Sequence, residues 1–270
     1  MPNSDEFVTV KLPMVRVVGE DATEAHDEIA VEYALTIVLD GEEFATMVCT
    51  PTHLEELVIG FLASEGIILH PDDIVSLSID ESTGMVDVQL RNKQVTGKDY
   101  VSRRFIGSCC GKSRQFYFHN DARTAKTART SQRITPTQCA DLMHGMQEAS
   151  HAFRLTGGVH NAALCTTEGI VEVRTDIGRH NALDKIYGFC LRNNVPTKDA
   201  IIAFSGRISS EVLLKVAKIG AGLVLSKSAP TTLAIELARD LNITAVGFIR
   251  GGSMNVYSHP ERVAIHTISP

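Results

Sequence analysis

Apolar residues recur every second position in some stretches of this chain and at helical spacing in others. In EYALTIVLDGEEFATMVC (32–49), two alternating runs flank Asp40-Gly41. Glycine accepts the positive φ of a tight turn, so a β-hairpin is predicted. After Thr50-Pro51, the spacing of Leu54, Leu57, Val58, Phe61 and Leu62 predicts a helix ending near Gly66. IVSLSID and GMVDVQLR follow as two short strands. From 101 to 133 apolar periodicity fades except in QFYFH, and ARTAKTARTSQ is small and polar, which predicts a partly mobile loop.

From Thr135 onward the pattern becomes α/β. TPTQCADLMHGMQEASHAF predicts a helix with a Thr cap and Pro136 in its first turn. NAALCTTEGIVEVRTDIG reads as a hairpin and HNALDKIYGFCLRNN as a helix. Strands AIIAFSG, AGLVLSKS and ITAVGFIRGG then alternate with helices SSEVLLKVAKIG and PTTLAIELARDLN, before a last strand, RVAIHT. Such alternation predicts a largely parallel sheet covered on both faces, with ligands bound beyond the carboxyl ends of its strands. Those ends read FSGRISS, LSKSAPTT and FIRGGS. The resulting organisation is a strand-rich part with one helix over 1–105, a basic cysteine-bearing loop over 106–134, and an α/β core over 135–270.

Composition sets the environment. With 270 residues, 44% of them hydrophobic, the chain can bury a substantial core. No stretch reaches the roughly 18 apolar residues of a membrane span. MPNSDEFVTVKLP lacks the basic and apolar regions of a signal peptide, so a cytoplasmic protein without membrane contact is expected. Six cysteines in such a chain read as reduced thiols rather than a disulfide framework. The net charge of −6 conceals an asymmetry: Val101 to Arg133 holds eight basic residues against Asp121, a net +7 that leaves −13 on the rest. A solvated basic loop and a docking surface for an anion both fit that run.

Two adjacent thiols, Cys109 and Cys110, lie within it in GSCCGKSRQ (107–115). A disulfide between neighbours is disfavoured, because Cα atoms about 3.8 Å apart fall below the usual lower limit of about 4.4 Å. Zinc wants about four Cys or His ligands, and only His119 is near, so no structural metal is expected. Inert burial suits Cys49, Cys139, Cys165 and Cys190 better than a pair surrounded by Gly, Ser, Lys and Arg. The remaining reading is a reactive thiolate, stabilised by the charge of Lys112, Arg114, Arg103 and Arg104.

Together with GSCCGKSRQ, the segments LTGGVHNAAL, RTDIGRHNALDKIYG, FSGRISSEVLLKVAKIGAG, SKSAPTTLAIELA and GFIRGGSMNVYSHPER occur in one order over most of the chain. In these the chain resembles the FdhD/NarQ family, the formate dehydrogenase accessory sulfurtransferases. The resemblance implies a cytidine-deaminase-like three-layer αβα core with a mixed sheet, plus a smaller strand-rich N-terminal part. It implies that sulfur is accepted from a cysteine desulfurase as a cysteine persulfide and passed to the molybdenum cofactor, Mo-bis guanine dinucleotide, of formate dehydrogenase. A homodimer is expected. The family's better-known pattern is Cys-Gly-X-Cys-Gly, from which this chain departs. Ungapped, Cys110 takes the first thiol's place and Ser113 replaces the second; with a two-residue deletion, Cys109 and Cys110 take the two roles. Cys110 is favoured as the persulfide bearer, and Cys109 stays open.

By the same resemblance, Phe248, Ile249, Arg250, Gly251, Gly252 and Ser253 match the segment assigned to the bis-guanine-dinucleotide cofactor. Arg250 offers a bidentate phosphate donor, and the glycines let backbone amides approach closely. Gly178, Arg179 and His180 fall at a helix start, where free N–H groups favour an anion. Ser205, Gly206 and Arg207 end a strand and suit either capping or phosphate contact, as does Ser209. Asp184 suits charge pairing as well as a ligand role. His160 opens a strand, where a hydrogen-bonded structural role competes with ligand contact. Asn161 and Ala162 follow it, so the His-X-Glu of a zinc deaminase is missing. A second function class, nucleic-acid binding by the basic segment and its aromatics Phe105, Phe116, Tyr117 and Phe118, predicts steep salt dependence and indifference to loss of Cys110.

Overall fold

The computed structural model describes residues 8–92, 104–106 and 125–265. It opens on an antiparallel two-stranded ribbon, β1 (Thr9–Val18) and β2 (Asp21–Ala30). The hairpin predicted at 32–49 forms β3 (Tyr33–Leu39) and β4 (Glu42–Cys49), with positive φ at Asp40 and Gly41. Then come α1 (Leu54–Ser64), β5 (Ile74–Asp80), β6 (Met85–Leu90) and β7 (Arg104–Ile106). Strands β3 to β7 make a five-stranded sheet in the order β5-β6-β3-β4-β7.

The later part begins with α2 (Pro136–Ala149) and α3 (His151–Thr156), which the sequence pattern joins into one helix. Ser150 breaks it: its backbone is extended and its hydroxyl accepts the Phe153 N–H, capping a new helix. Next are β8 (His160–Thr166), β9 (Gly169–Asp176), α4 (Arg179–Arg192), β10 (Ile201–Phe204), α5 (Ser210–Ile219), β11 (Leu223–Ser226), α6 (Thr232–Asp240), β12 (Thr244–Arg250) and β13 (Ser253–Val256). These six strands form one sheet in the order β13-β12-β11-β10-β8-β9. It is mixed rather than largely parallel, since only β10–β11 and β11–β12 run parallel. The hairpins at either end of the sheet account for the difference. RVAIHT is not a strand over its described residues: a 3-10 turn, Pro260–Arg262, precedes Val263, which makes a single bridge to Ile134.

Alternation along the strands separates two layers of packing. Ala162, Leu164, Ile202, Phe204, Val224 and Ala245 face one side, in a core shared with helices α4 to α6. Ala163, Cys165, Ile201, Ala203, Leu223, Leu225 and Val246 face the other, where α2 supplies Cys139, Leu142, Met143 and Met146. Residues 125–134, placed by sequence in a partly mobile loop, are packed. Ala128 is buried and its N–H bonds Leu241 O, while Thr130 lies so close to Gly222 that a Cβ there would come within 2.1 Å of the threonine methyl.

The N-terminal sheet shares the first of these cores through Leu35, Ile37, Met47, Val86 and Val88, with α1 crossing α4. At the crossing a Cβ on Gly60 would sit 1.8 Å from Asp184 O, and one on Gly188 would sit 1.9 Å from Glu56 O. Polar groups are buried beside it. Arg174 holds Glu56 through Nε at 2.6 Å and Nη2 at 3.0 Å, and pairs with Glu172 at 2.5 Å. His53, at the start of α1, has its pKa lowered to about 4 by burial and by Arg174. Between pH 6.5 and about 4 the unfolded chain therefore binds a proton that the folded chain refuses, and stability falls as pH falls through that window. His53→Gln should flatten this part of the acid limb, as read by urea midpoints across the range.

Candidate functional site

All the parallel strands point their carboxyl ends at one edge of the six-stranded sheet, and β8, running the other way, begins there. His160 is the first residue of β8. Its Nδ1 lies 3.4 Å from Ser205 Oγ, just past β10, and Ser205 Oγ accepts the Asn161 N–H at 2.9 Å. Gly206 is required beside it, since a Cβ would come within 2.9 Å of the Phe204 ring and 3.6 Å of His160 Nδ1. Arg207 follows, exposed, and Ser209 is the N-cap of α5, accepting the Val212 N–H at 3.3 Å. Burial lowers the pKa of His160, and the nearby Arg179 charge lowers it further. At neutral pH the ring is an uncharged hydrogen-bonding group next to a permanent cation.

Gly178 caps α4 without a side chain, followed by Arg179 and His180 on its first turn. Asp176, at the end of β9, fixes this turn: its Oδ1 accepts the Gly178 N–H at 2.8 Å and Asn181 Nδ2 at 2.9 Å. A Cβ on Gly178 would meet that amide at 2.7 Å. His180 Nε2 stands 3.3 Å from Glu211 Oε2, an ion-pair distance without hydrogen-bond geometry. The structure thus gathers His160, Gly178, Arg179, His180, Ser205, Gly206 and Arg207 around the adjoining ends of β9, β8 and β10. The arrangement offers cations, a hydroxyl and a helix N-terminus to an anion.

Phe248 to Ser253 stand apart from that cluster, on the same edge. Counted along the strand order, β12 lies three positions from β8, about 14 Å at normal strand spacing. Phe248 takes positive φ where the β12–β13 register slips, and Gly251 and Gly252 have φ of 57° and 78°, the two-residue turn that glycine favours. The Arg250 guanidinium lies 5.4 Å over the Phe248 ring, and Ser253 Oγ donates to Arg250 O. Ile249 is buried below. A Cβ on either glycine would meet nothing within 4 Å, so the turn is open to solvent.

Sequence reasoning missed the groups that support this edge. Lys185 and Asp176 are wholly buried and 2.7 Å apart, and Lys185 Nζ also donates to Thr50 Oγ1 at 2.7 Å and Thr175 O at 3.1 Å. The available signal was Asn181, Lys185 and Gly188 at three- and four-residue spacing on the apolar face of α4. Asp184 is a charge-pairing residue, accepting Ser64 Oγ at 2.6 Å and pairing with Lys215 at 2.5 Å.

Cys109 and Cys110 lie outside the described residues. The other four cysteines are free and buried, and burial pushes the thiols of Cys49, Cys139, Cys165 and Cys190 up to about 12. Thiolate is the reactive form, so these four should resist iodoacetamide at pH 8 in the native protein and react fully in urea. Peptide mapping of the alkylated chain reads both states.

Fold and edge together define a three-layer α/β protein with cations and glycine turns collected at its strand ends. The chain belongs to the FdhD/NarQ family, whose model matches residues 30–264. It is 58% identical over 252 residues to the sulfur carrier protein FdhD of Halalkalibacterium halodurans, covering 93% of each chain. With the sulfur carrier protein FdhD of Bacillus subtilis it shares 57% identity over 259 residues, 96% of this chain and 99% of that one. Among solved structures, a protein from Desulfotalea psychrophila assigned as a formate dehydrogenase accessory protein has the same fold. The TM-score is 0.76 at 22% identity, over 95% of this chain and 99% of that one.

Proposed function

We propose that this protein is a sulfur carrier in formate dehydrogenase maturation, taking sulfur from a cysteine desulfurase as a cysteine persulfide and delivering it to Mo-bis guanine dinucleotide. Its relatives' name, sulfur carrier protein, supports the sulfur-transfer role. The observation that carries the thiol assignment is elimination: of six cysteines, four are buried with raised pKa, which leaves Cys109 and Cys110. The molybdenum cofactor is substrate here. Its two guanosine diphosphate arms match two anion-compatible places on one sheet edge, the cluster around Arg179 and the turn at Arg250. The strand order β9-β8-β10-β11-β12, with β8 antiparallel to β10, supports a cytidine-deaminase-type core.

Intact-mass spectrometry after incubation with a cysteine desulfurase and cysteine tests the carrier step. The expected result is a gain of about one sulfur, reversed by a reductant, retained in Cys109→Ala and abolished in Cys110→Ala. A gain that persists when both cysteines are replaced would refute the assignment.

A further inference from the structure

Helices α4 and α5 both begin at the edge that carries the anion-compatible cluster, and a ladder of charged side chains joins them. Glu211, Lys215 and Lys218 recur at four- and three-residue spacing, so they share one face of α5. His180 and Asp184, four residues apart, meet that face from α4. At the edge, His180 Nε2 stands 3.3 Å from Glu211 Oε2. One turn further in, Lys215 Nζ donates to Asp184 Oδ1 at 2.5 Å, and the same oxygen accepts Ser64 Oγ at 2.6 Å. Below it, Lys218 Nζ donates to Ser64 O at 2.6 Å. Asp184 and Lys218 are 2% and 3% exposed, and fixing register is the best-attested role of charges so deeply placed. The lower rungs set how far α5 stands along α4, which brings Glu211 level with His180.

The top rung differs from the two below it. His180 Nε2 is buried without a hydrogen-bond partner, although the carboxylate is within a small ring movement of it. A carboxylate opposite Nε2 draws a ring proton to that nitrogen and leaves Nδ1, the ring's one other polar atom, for a ligand. With Nε2 alone protonated, Nδ1 is an acceptor and repels an anion; a second proton makes it a donor. The charges of Arg179 on the same helix, Asp176 at the end of β9 and His180 all act on His160 of β8, so the four form one electrostatic group that Glu211 joins from α5. Within it the two histidines have opposite company, an arginine beside His160 and a carboxylate beside His180. Asp176 is already neutralised by Lys185. We infer that Glu211 is a positioning residue for the anion cluster, holding His180 with a proton on Nε2 so that the doubly protonated ring presents Nδ1–H to a phosphate oxygen. This rests on the reading of the edge as a site for the cofactor's diphosphate.

Calorimetric titration of the full chain with GDP, at about pH 6 and about pH 8, tests the His180–Glu211 dyad. By Coulomb's law alone, removing a negative charge from the rim of an anion site tightens binding. Positioning predicts the opposite. Glu211→Gln should weaken GDP about tenfold at the lower pH, the scale of one hydrogen bond to a charged group, and by less than about twofold at the higher, where histidine gives up its charge. Comparing variant with wild type at each pH cancels the titration of the phosphate itself. His180→Ala should show the same pH-dependent loss, and the double variant no further loss. Glu211→Asp keeps the charge but draws it back by one methylene, so it too should lose affinity at the lower pH. Urea midpoints should stay near wild type, because the two side chains are 25% and 30% exposed. If Glu211 were only a favourable acid in the first turn of α5, its loss would lower stability and leave affinity unchanged. Tighter or unchanged GDP binding by Glu211→Gln, a loss equal at both pH values, or losses that add to those of His180→Ala would each overturn the dyad and leave the cofactor reading in place. A wild type that binds no GDP would overturn both.

Discussion

Replacing Lys185 with methionine should destabilise the protein by about 3–5 kcal/mol in urea denaturation, the cost of leaving a buried charge without its partner. Asp176 would keep its four hydrogen bonds, from Thr50 N and Oγ1 at 3.1 Å each, Gly178 N at 2.8 Å and Asn181 Nδ2 at 2.9 Å, but would lose its counter-charge. Both side chains are 0% exposed, so water cannot replace the ammonium. Asp176→Asn alone should cost a similar amount by stranding Lys185. The double variant should cost less than the sum, since neither charge remains, and a double-mutant cycle reports that coupling. A Lys185→Met loss below about 1 kcal/mol would mean that the pair is not the buried strut described.

The second large effect is steric. Gly60→Ala and Gly188→Ala each place a methyl under 2 Å from a carbonyl oxygen of the opposing helix, and both obstacles are backbone. Alanine improves helix propensity by up to about 1 kcal/mol, so propensity alone predicts stabilisation. The contact predicts the reverse: α1 and α4 must separate, with a loss at or above the 1–3 kcal/mol typical of overpacking. Gly145→Ala is the control. Its Cβ would meet only the tip of Ile170, Cδ1 at 2.9 Å, which can swing away, so its midpoint should stay near wild type. Equal midpoints for all three variants would contradict the close crossing.

Local patterns made much of the fold legible. The alternation in β3 and β4, the short apolar runs of β8 and β10, the caps Thr135 and Ser209, and the helical spacing of α1 and α4 to α6 are each carried by a few neighbouring residues. β2 was illegible because DATEAHDEIA has no apolar alternation; its register with β1 supplies what its own residues do not. The break at Ser150 was hidden because a helix interior tolerates a serine even though the residue favours caps, and only its extended backbone decides. Likewise Thr50, Asp176 and Lys185 look like ordinary solvent-facing residues until residues 126 and 135 positions apart are brought together. Of the edge residues, His160, Ser205, Gly206 and Arg207 were found through their placement at strand ends, and Gly178, Arg179 and His180 through a helix start. How far the 248–253 turn lies from them depends on strand order, which no single segment encodes.

The glycine crossing also bears on how the chain is made. Glu56 must wait for Arg174, and Thr50 for Asp176, 118 and 126 residues later. During synthesis the five-stranded sheet and α1 are complete long before α4 leaves the ribosome, and until then their apolar face has no cover. The 86 residues from Ile106 to Arg192 take on the order of 4–17 seconds at about 5–20 residues per second. The nascent N-terminal third is therefore the stretch on which a chaperone would act, and the arrival of Gly188 at Gly60 is the event that ends the need for one.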